Sequence, residues 1–206
     1  MSASTRRVVV TGMGLIAPCG STVAENWENI SAGKSGLARI TAFDVSAYDT
    51  KIGGEVKNFD PERYIDRKEA RRMDRSVQLA MAAAAEAMAG LEGTFEAERF
   101  GTIIGSGIGG ILTFEAQHSV LVEKGPSRIS PFFIPMMISD MAAGQVSIRY
   151  GLRGPNFGTV SACASQPSWF PPISSAALLP APPALPPSIT PRSLPLCKNA
   201  LTCRAA

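Results

Sequence analysis

FGTIIGSGIGG, Phe100 to Gly110, is a β-branched apolar run that opens directly into a glycine-rich stretch. A run of this length bounded by turn residues reads as a buried strand leaving through a tight turn. Two other segments repeat the pattern. Arg6 to Thr11 (RRVVVT) is a buried strand by the same reading and ends at Gly12 and Gly14, and Phe157 to Ala162 is a third strand ending at Cys163. Between them the periodicity is helical. Ser21 or Thr22 is placed to cap Val23 to Ser31, where Val23, Trp27 and Ile30 share one face. From Asp66 to Leu91 a single long helix is expected, because Met73, Val77, Ala80, Met81, Ala84 and Met88 follow the three-and-four spacing of a buried stripe. A helix is also expected from the glycine loop to about Lys124. Pro131 and Pro135 then bracket an apolar loop, followed by a helix through Met141 to Tyr150 and a turn at Gly151 to Pro155. Lys34 to Asp60 reads as loops with room for a hairpin around Gly53 and Gly54. Strands alternating with helices predict an α/β domain with a largely parallel sheet.

Composition divides the chain at one point. Of its 206 residues, Met1 to Ser165 carries 17 Lys and Arg, 17 Asp and Glu and all 19 Gly, so this body is formally neutral. Gln166 to Ala206 has no acid, no Gly and 10 of the 16 Pro, and its Arg192, Lys198 and Arg204 supply the whole net charge of +3. Two regions are therefore expected, residues 1–165 as the folded domain and residues 166–206 as a proline-rich irregular tail of polyproline II character, through which no ordinary helix can run. Three scattered cations are no nucleic-acid footprint, which needs a clustered basic face. No apolar run is long enough to span a membrane, and Met1 to Val10 lacks the apolar core of a secretory signal, so a cytoplasmic location is expected. Cys19, Cys163, Cys197 and Cys203 show no CxxC spacing and no clustering with the single histidine, His118, so no metal site is expected.

Gly12 to Ala17 matches GxGxxA, and Gly105 to Gly110 matches GxGxxG. Taken alone, such loops suggest dinucleotide binding. Here Pro18 and the cap at Ser21 or Thr22 hold the first helix well away from its glycines, and neither loop is followed at the ribose-binding distance by an acid ending a second strand. Close strand-to-helix packing is the simpler account. Thr159 to Ser165 (TVSACAS) is the sharpest chemical feature, since a thiol between small residues at a strand tip suits a nucleophile with room for substrate. A small buried hydrophobe is the other reading of such a cysteine.

Six stretches occur in order: RRVVVTGMGLIAPCG at the start, DRKEARRMD at Asp66 to Asp74, IGSGIGG at Ile104 to Gly110, ISPFFIPMMI at Ile129 to Ile138, YGLRGPN at Tyr150 to Asn156 and SACAS at Ser161 to Ser165. Together they closely resemble the N-terminal half of a bacterial β-ketoacyl-acyl carrier protein synthase of the type II condensing enzymes. The resemblance implies the N-terminal half of a thiolase-like layered αβαβα fold, in a family that works as a homodimer. It implies an acyltransferase of fatty acid biosynthesis that loads an acyl chain onto a cysteine and condenses it with malonyl-carrier protein, losing carbon dioxide. No cofactor is implied beyond the phosphopantetheine of acyl carrier protein, the expected partner. By position, Cys163 is the implied nucleophile, and its backbone N–H one of two oxyanion donors. Gly107, Ile108, Phe133 and Ile134 are the implied acyl-pocket residues, with the Phe132 to Pro135 loop reaching a partner subunit; ordinary core packing is their alternative. Arg67, Lys68, Arg71 and Arg72, with Arg128, are the implied docking face for the acidic carrier protein, and a solvated charged face is the alternative.

The resemblance stops after Ser165. The family continues with a glycine- and histidine-bearing helix and a second half containing two catalytic histidines, a lysine and a phenylalanine gate, whereas this chain continues QPSWFPP. A change of reading frame just after Ser165 would account for the simultaneous loss of Gly and acids. The chain alone is expected to be inactive in condensation. Two alternatives to an enzyme remain: a non-catalytic module binding carrier protein or an intact synthase subunit, and a non-functional product.

Overall fold

The computed structural model describes residues 9–91 and 95–165, and the backbone of 176–180. A helix α1 (Val23–Ser31) is followed by a two-stranded antiparallel arm, β1 (Leu37–Arg39) with β2 (Ile52–Gly54), in which Leu37 faces Gly54 and Arg39 faces Ile52. Next come α2 (Arg67–Ala70) and α3 (Arg75–Ala89), the strand β3 (Phe100–Gly105), and helices α4 (Ile111–Lys124), α5 (Phe133–Met137) and α6 (Met141–Tyr150). The strand β4 (Asn156–Thr159) runs parallel to β3 with Thr102 opposite Asn156 and Gly105 opposite Thr159. On the other edge of β3 lies β5 (Ala176–Pro180), antiparallel, with Phe100 opposite Pro180 and Ile104 opposite Ala176.

The core forms where α3 and α6 meet β3. Met73, Val77, Ala80, Met81 and Ala84 are buried as their spacing predicts, and they pack with Ile104, Ala142, Ala143, Val146 and Leu152. Alanines on both helices let the backbones approach closely, and fully buried Ala84, Ala143 and Val146 mark the seam. A polar relay crosses this core without leaving an unmet group: Asn156 Nδ2 donates to Ser147 Oγ at 2.6 Å, and Ser147 donates to the fully buried Thr102 Oγ1 at 2.8 Å.

Three expectations change. The single helix over Asp66 to Leu91 is two, because the first closes at its C-cap Arg71 and Asp74, with extended backbone, starts a new helix as its N-cap. Asp74, only 4% exposed, accepts from Ser76 N at 2.9 Å and Ser76 Oγ at 2.8 Å, and its other oxygen accepts from Thr113 Oγ1 at 2.7 Å and Thr113 N at 3.1 Å. The RRVVVT strand does not form over its described part: Val9 and Val10 are 62% and 67% exposed, and β4 and β5 occupy both edges of β3. Arg6 to Val8 lie outside the described residues. Five residues of the proline-rich tail, Ala176 to Pro180, are regular strand rather than irregular. Prolines exclude helices but tolerate a strand terminus, and this stretch holds none before Pro180. Arg192, Cys197, Lys198, Cys203 and Arg204 lie outside the described residues.

The first glycine pair does what close packing requires. A Cβ at Gly12 would collide with the Ala87 carbonyl oxygen of α3 and one at Gly14 with that of Ala83. The same loop is tied to α3 by Glu86, whose carboxylate accepts from Leu15 N at 2.9 Å and Val23 N at 2.8 Å. Thr22 caps α1 by accepting from Glu25 N at 3.1 Å. The face of α1 turned inward carries Asn26, whereas Trp27 and Ile30 stand 72% and 56% exposed. Among the described residues no helix is long and apolar enough to cross a membrane, and no three metal-ligating side chains cluster.

Asp74→Ala strips a helix cap and leaves buried donors unmet, so it should destabilise the fold by about 3 kcal/mol. Asp74→Ser restores the α3 cap and should recover about 1 kcal/mol of that loss. Urea midpoints measure both, and an unchanged midpoint for Asp74→Ala would refute the assignment. In the β1–β2 arm, hydrogen bonds from Thr41 N, Ala42 N and the Thr41 hydroxyl hold the Glu55 carboxyl below its ordinary pKa of 4.5. A depressed folded pKa stabilises the arm above the unfolded value and loses that contribution as pH falls through the folded one. The Thr41 and Ala42 amide resonances should therefore move together with a midpoint below 4.5.

Candidate active site

Parallel β3 and β4 end side by side, and the turn that follows each strand lies at the same end of the sheet. In parallel sheets, this carboxyl end is where ligands bind. After β3 come Ser106 to Gly110, and Gly109 takes φ +97°, a backbone region that L side chains avoid. A side chain at Gly110 would strike the Met136 carbonyl oxygen, so the loop is pressed against α5. Two of its N–H groups are used within the protein, Gly110 N donating to Met137 O at 2.8 Å and Gly109 N to Ser106 Oγ at 2.9 Å. This is packing chemistry, as the reading against a dinucleotide loop expects.

After β4 the chain turns sharply. The strand is shorter than expected, stopping at Thr159 rather than Ala162, and a single 3-10 turn spans Ala162–Ala164. Ala162 sits at φ +49°, a left-handed conformation uncommon for any residue but glycine, asparagine or aspartate. Cys163 is the middle residue of this turn. Ser165, 8% exposed, closes it: its hydroxyl accepts from Ser161 N at 2.7 Å and its proton lies between the carbonyls of Ala162 (2.7 Å) and Ser106 (2.9 Å). The two turns are also joined directly, by Ser106 N donating to Thr159 O at 2.9 Å.

Beside the turn after β3 is a cavity of about 240 Å³. Val77 and Ala80 of α3, Ile104 of β3, Gly107 of the loop, and Ile138 and Ala142 from the α5–α6 corner form much of its wall. The lining is mostly apolar, with Ser76, Ser106 and Ser139 as its hydroxyl groups. Of the four pocket residues expected from the sequence, Gly107 lines this space. Ile108 and Ile134 are 69% and 55% exposed, and Phe133 packs its ring against Phe114 at 6.2 Å. Sequence reasoning missed Val77, Ala80, Ile138 and Ala142 as lining residues, because a stripe that faces a core and one that faces a cavity have the same spacing. Ser165 was within a quoted motif, but nothing in SACAS separates a structural hydroxyl from a spacer.

The basic residues fall in two places. Arg67 and Lys68 are on α2, Arg71 and Arg72 in the turn before α3, and Arg128 in a 3-10 turn after α4, all exposed. Arg67 Nε pairs with Glu62 at 3.3 Å, and the Arg72 guanidinium lies 4.5 Å over the ring of Phe132. That stack brings the α2–α3 corner to the loop before α5. Among the described residues no salt bridge engages Lys68, Arg71 or Arg128. His118 is exposed on α4 and stacks with Phe114 at 6.4 Å.

The family profile described as beta-ketoacyl synthase, N-terminal domain, matches residues 5–167. The chain belongs to the beta-ketoacyl synthase family. It is 52% identical over 163 residues to 3-oxoacyl-[acyl-carrier-protein] synthase 2 of Staphylococcus aureus strain COL, covering 78% of this chain and 39% of that protein. To the protein of the same name from Vibrio harveyi it is 49% identical over 165 residues, covering 79% of this chain and 40% of the other. Among solved structures, a beta-ketoacyl synthase from Burkholderia phymatum STM815 superposes with a TM-score of 0.64 at 25% identity, covering 78% of this chain and 41% of that one. The fold is thus the α/β, thiolase-like one of the ketosynthases over its N-terminal part. The chain spans about two fifths of the length of these relatives.

Proposed function

We propose that this chain carries the acyl-loading half of a 3-oxoacyl-[acyl-carrier-protein] synthase, with Cys163 as the acceptor. One observation supports this best: the Cys163 turn is built onto the glycine loop that walls an apolar cavity, at the carboxyl end of parallel strands. In the step proposed, the Cys163 thiolate attacks the carbonyl carbon of an acyl thioester carried on phosphopantetheine. The backbone N–H of Cys163 holds the developing oxyanion, the carbon–sulfur bond to pantetheine breaks, and that thiolate takes up a proton. The acyl chain needs an apolar slot, and the mostly apolar cavity beside Gly107 supplies one, while the other implied pocket residues, Ile108, Phe133 and Ile134, do not line it. No resident cofactor takes part, since the partner brings the pantetheine arm, and the reaction belongs in the cytoplasm.

Acyl carrier protein is the proposed partner. Arg67, Lys68, Arg71 and Arg72, with Arg128, would meet its acidic surface and steer the encounter. The Phe132 to Pro135 loop, with Phe132 and Ile134 exposed, is the proposed contact to a second synthase subunit, as a homodimer. Condensation is not expected of these 206 residues alone. Decarboxylating malonyl-carrier protein leaves an enolate that needs fixed donors, and the only histidine is His118, exposed on α4. The exposed cations and apolar residues equally suit a module that binds without chemistry, which is the second reading.

Incubation with acyl-carrier protein followed by intact mass measurement separates the two. An acyl adduct that disappears in Cys163→Ala, with no ketoacyl product after malonyl-carrier protein is added, is the expected result. A complex on size exclusion without any adduct would favour the binding module, and a ketoacyl product would overturn the expectation of no condensation. Replacing Lys68 and Arg71 together by Glu should weaken carrier-protein binding by about tenfold or more, and the difference should shrink at high salt.

A further inference from the structure

We infer that Ser165 is a positioning residue that holds the Cys163 turn in its reactive shape by locking it to the neighbouring glycine loop. The inference rests on Cys163 being the acyl acceptor. Its basis is the number of roles one buried hydroxyl fills at once. Ser165 Oγ accepts the Ser161 N–H at 2.7 Å, two residues before the cysteine, and directs its own proton toward the carbonyls of Ala162 at 2.7 Å and Ser106 at 2.9 Å. Its carbonyl accepts from the Thr159 hydroxyl at 2.6 Å, where β4 ends. Residues 159–165 are therefore a closed ring. The only side chain bonding that ring to the β3 loop in these contacts is that of Ser165.

The ring needs such a clasp. Ala162 at φ +49° has no glycine freedom to explain its conformation, and such backbone persists only where surrounding bonds over-determine it. Ser106, at the far end of the clasp, donates its N–H to Thr159 O and accepts Gly109 N, so the bond from Ser165 reaches the loop that walls the cavity. The cysteine turn and the chain-binding wall then move as one body. Transfer rates depend steeply on such registration, since a displacement of about 1 Å can cost on the order of a hundredfold.

Removing the hydroxyl leaves the Ser161 N–H without its acceptor and frees the turn from Ser106. The test follows transfer from hexanoyl-N-acetylcysteamine, a soluble thioester that bypasses carrier docking, onto Cys163 of the full chain, by intact mass with the modified cysteine located by peptide mapping. Ser165→Ala should lower the saturating transfer rate by about tenfold while leaving the half-saturating thioester concentration unchanged, and Ser165→Thr, which keeps the hydroxyl, should restore it. An unchanged rate in Ser165→Ala, or a change in half-saturation alone, would overturn the positioning role while leaving Cys163 as acceptor. No transfer to wild-type Cys163 would remove the reading on which the role rests, and the role with it. Circular dichroism checks folding; should Ser165→Ala be unfolded, Thr159→Val, which removes only the bond to the Ser165 carbonyl, decides the matter by a smaller loss of the same rate or by none.

Discussion

A single buried carboxylate, Asp74, sets the relation of the two helices on which the rest depends. One oxygen caps α3 through Ser76 and the other receives both the backbone and hydroxyl of Thr113 in the first turn of α4. A negative charge at two converging helix N-termini is favoured by both dipoles and has its lone pairs filled by four donors, which offsets the cost of its burial. The consequence reaches the site. The glycine loop is the segment between β3 and α4, and at Gly110 even a Cβ would press on the Asp74 side chain at 3.1 Å. With α4 fixed to α3 at that point, the loop has one path, and the cavity between α3 and the loop has its shape.

The β3 strand then links this anchor to the chemistry. It is the only strand with neighbours on both edges among the described residues, and its carboxyl end holds Ser106, the residue that Ser165 and Thr159 both engage. The antiparallel β5 on its other edge is a segment outside the family match, which ends at residue 167. An unpaired strand edge accepts whatever extended apolar segment the chain can bring to it, and Ala176 to Leu179 has the required length and side chains.

Much of this was legible because local rules and tertiary packing agree. The stripe from Met73 to Ala84 is buried as its period demands, Thr22 caps α1, and Gly151 ends α6 in a left-handed turn at φ +67°. The failures have physical causes. Period alone could not see that Asp74 restarts a helix, although an aspartate two residues before a serine and just ahead of an apolar stripe is a cap signal. Val23, Trp27 and Ile30 share one apolar face, yet it is Asn26 that faces inward, because its amide donates to the Leu15, Gly20 and Thr22 carbonyls of the loop it covers. A polar residue that satisfies a buried loop outranked an apolar one with no neighbour to pack against. The SACAS motif placed the cysteine but not the clasp, since the one Ser165 partner outside the turn, Ser106, lies 59 residues away.

The charge arithmetic is where composition and structure part most clearly. The body is formally neutral, so its composition predicts no field. Structure decides which of the charges reach the surface. In the run DRKEARRMD both aspartates are turned to backbone work, Asp66 accepting from Lys68 N at 2.8 Å and Asp74 buried between two helices, while Glu86 is drawn onto the backbone of the first loop. The cations of the same run have no such backbone acceptors and remain at the surface, with Arg67 held by Glu62 and Arg72 by the face of Phe132. The run carries four cations against three acids, Asp66, Glu69 and Asp74, and with Asp74 buried its exposed part is a locally positive corner beside the Phe132 loop. The tail's three cations contribute the net +3, but within the folded body the positive charge open to an acidic surface is that of exposed Lys68 and Arg71, which no salt bridge engages among the described residues.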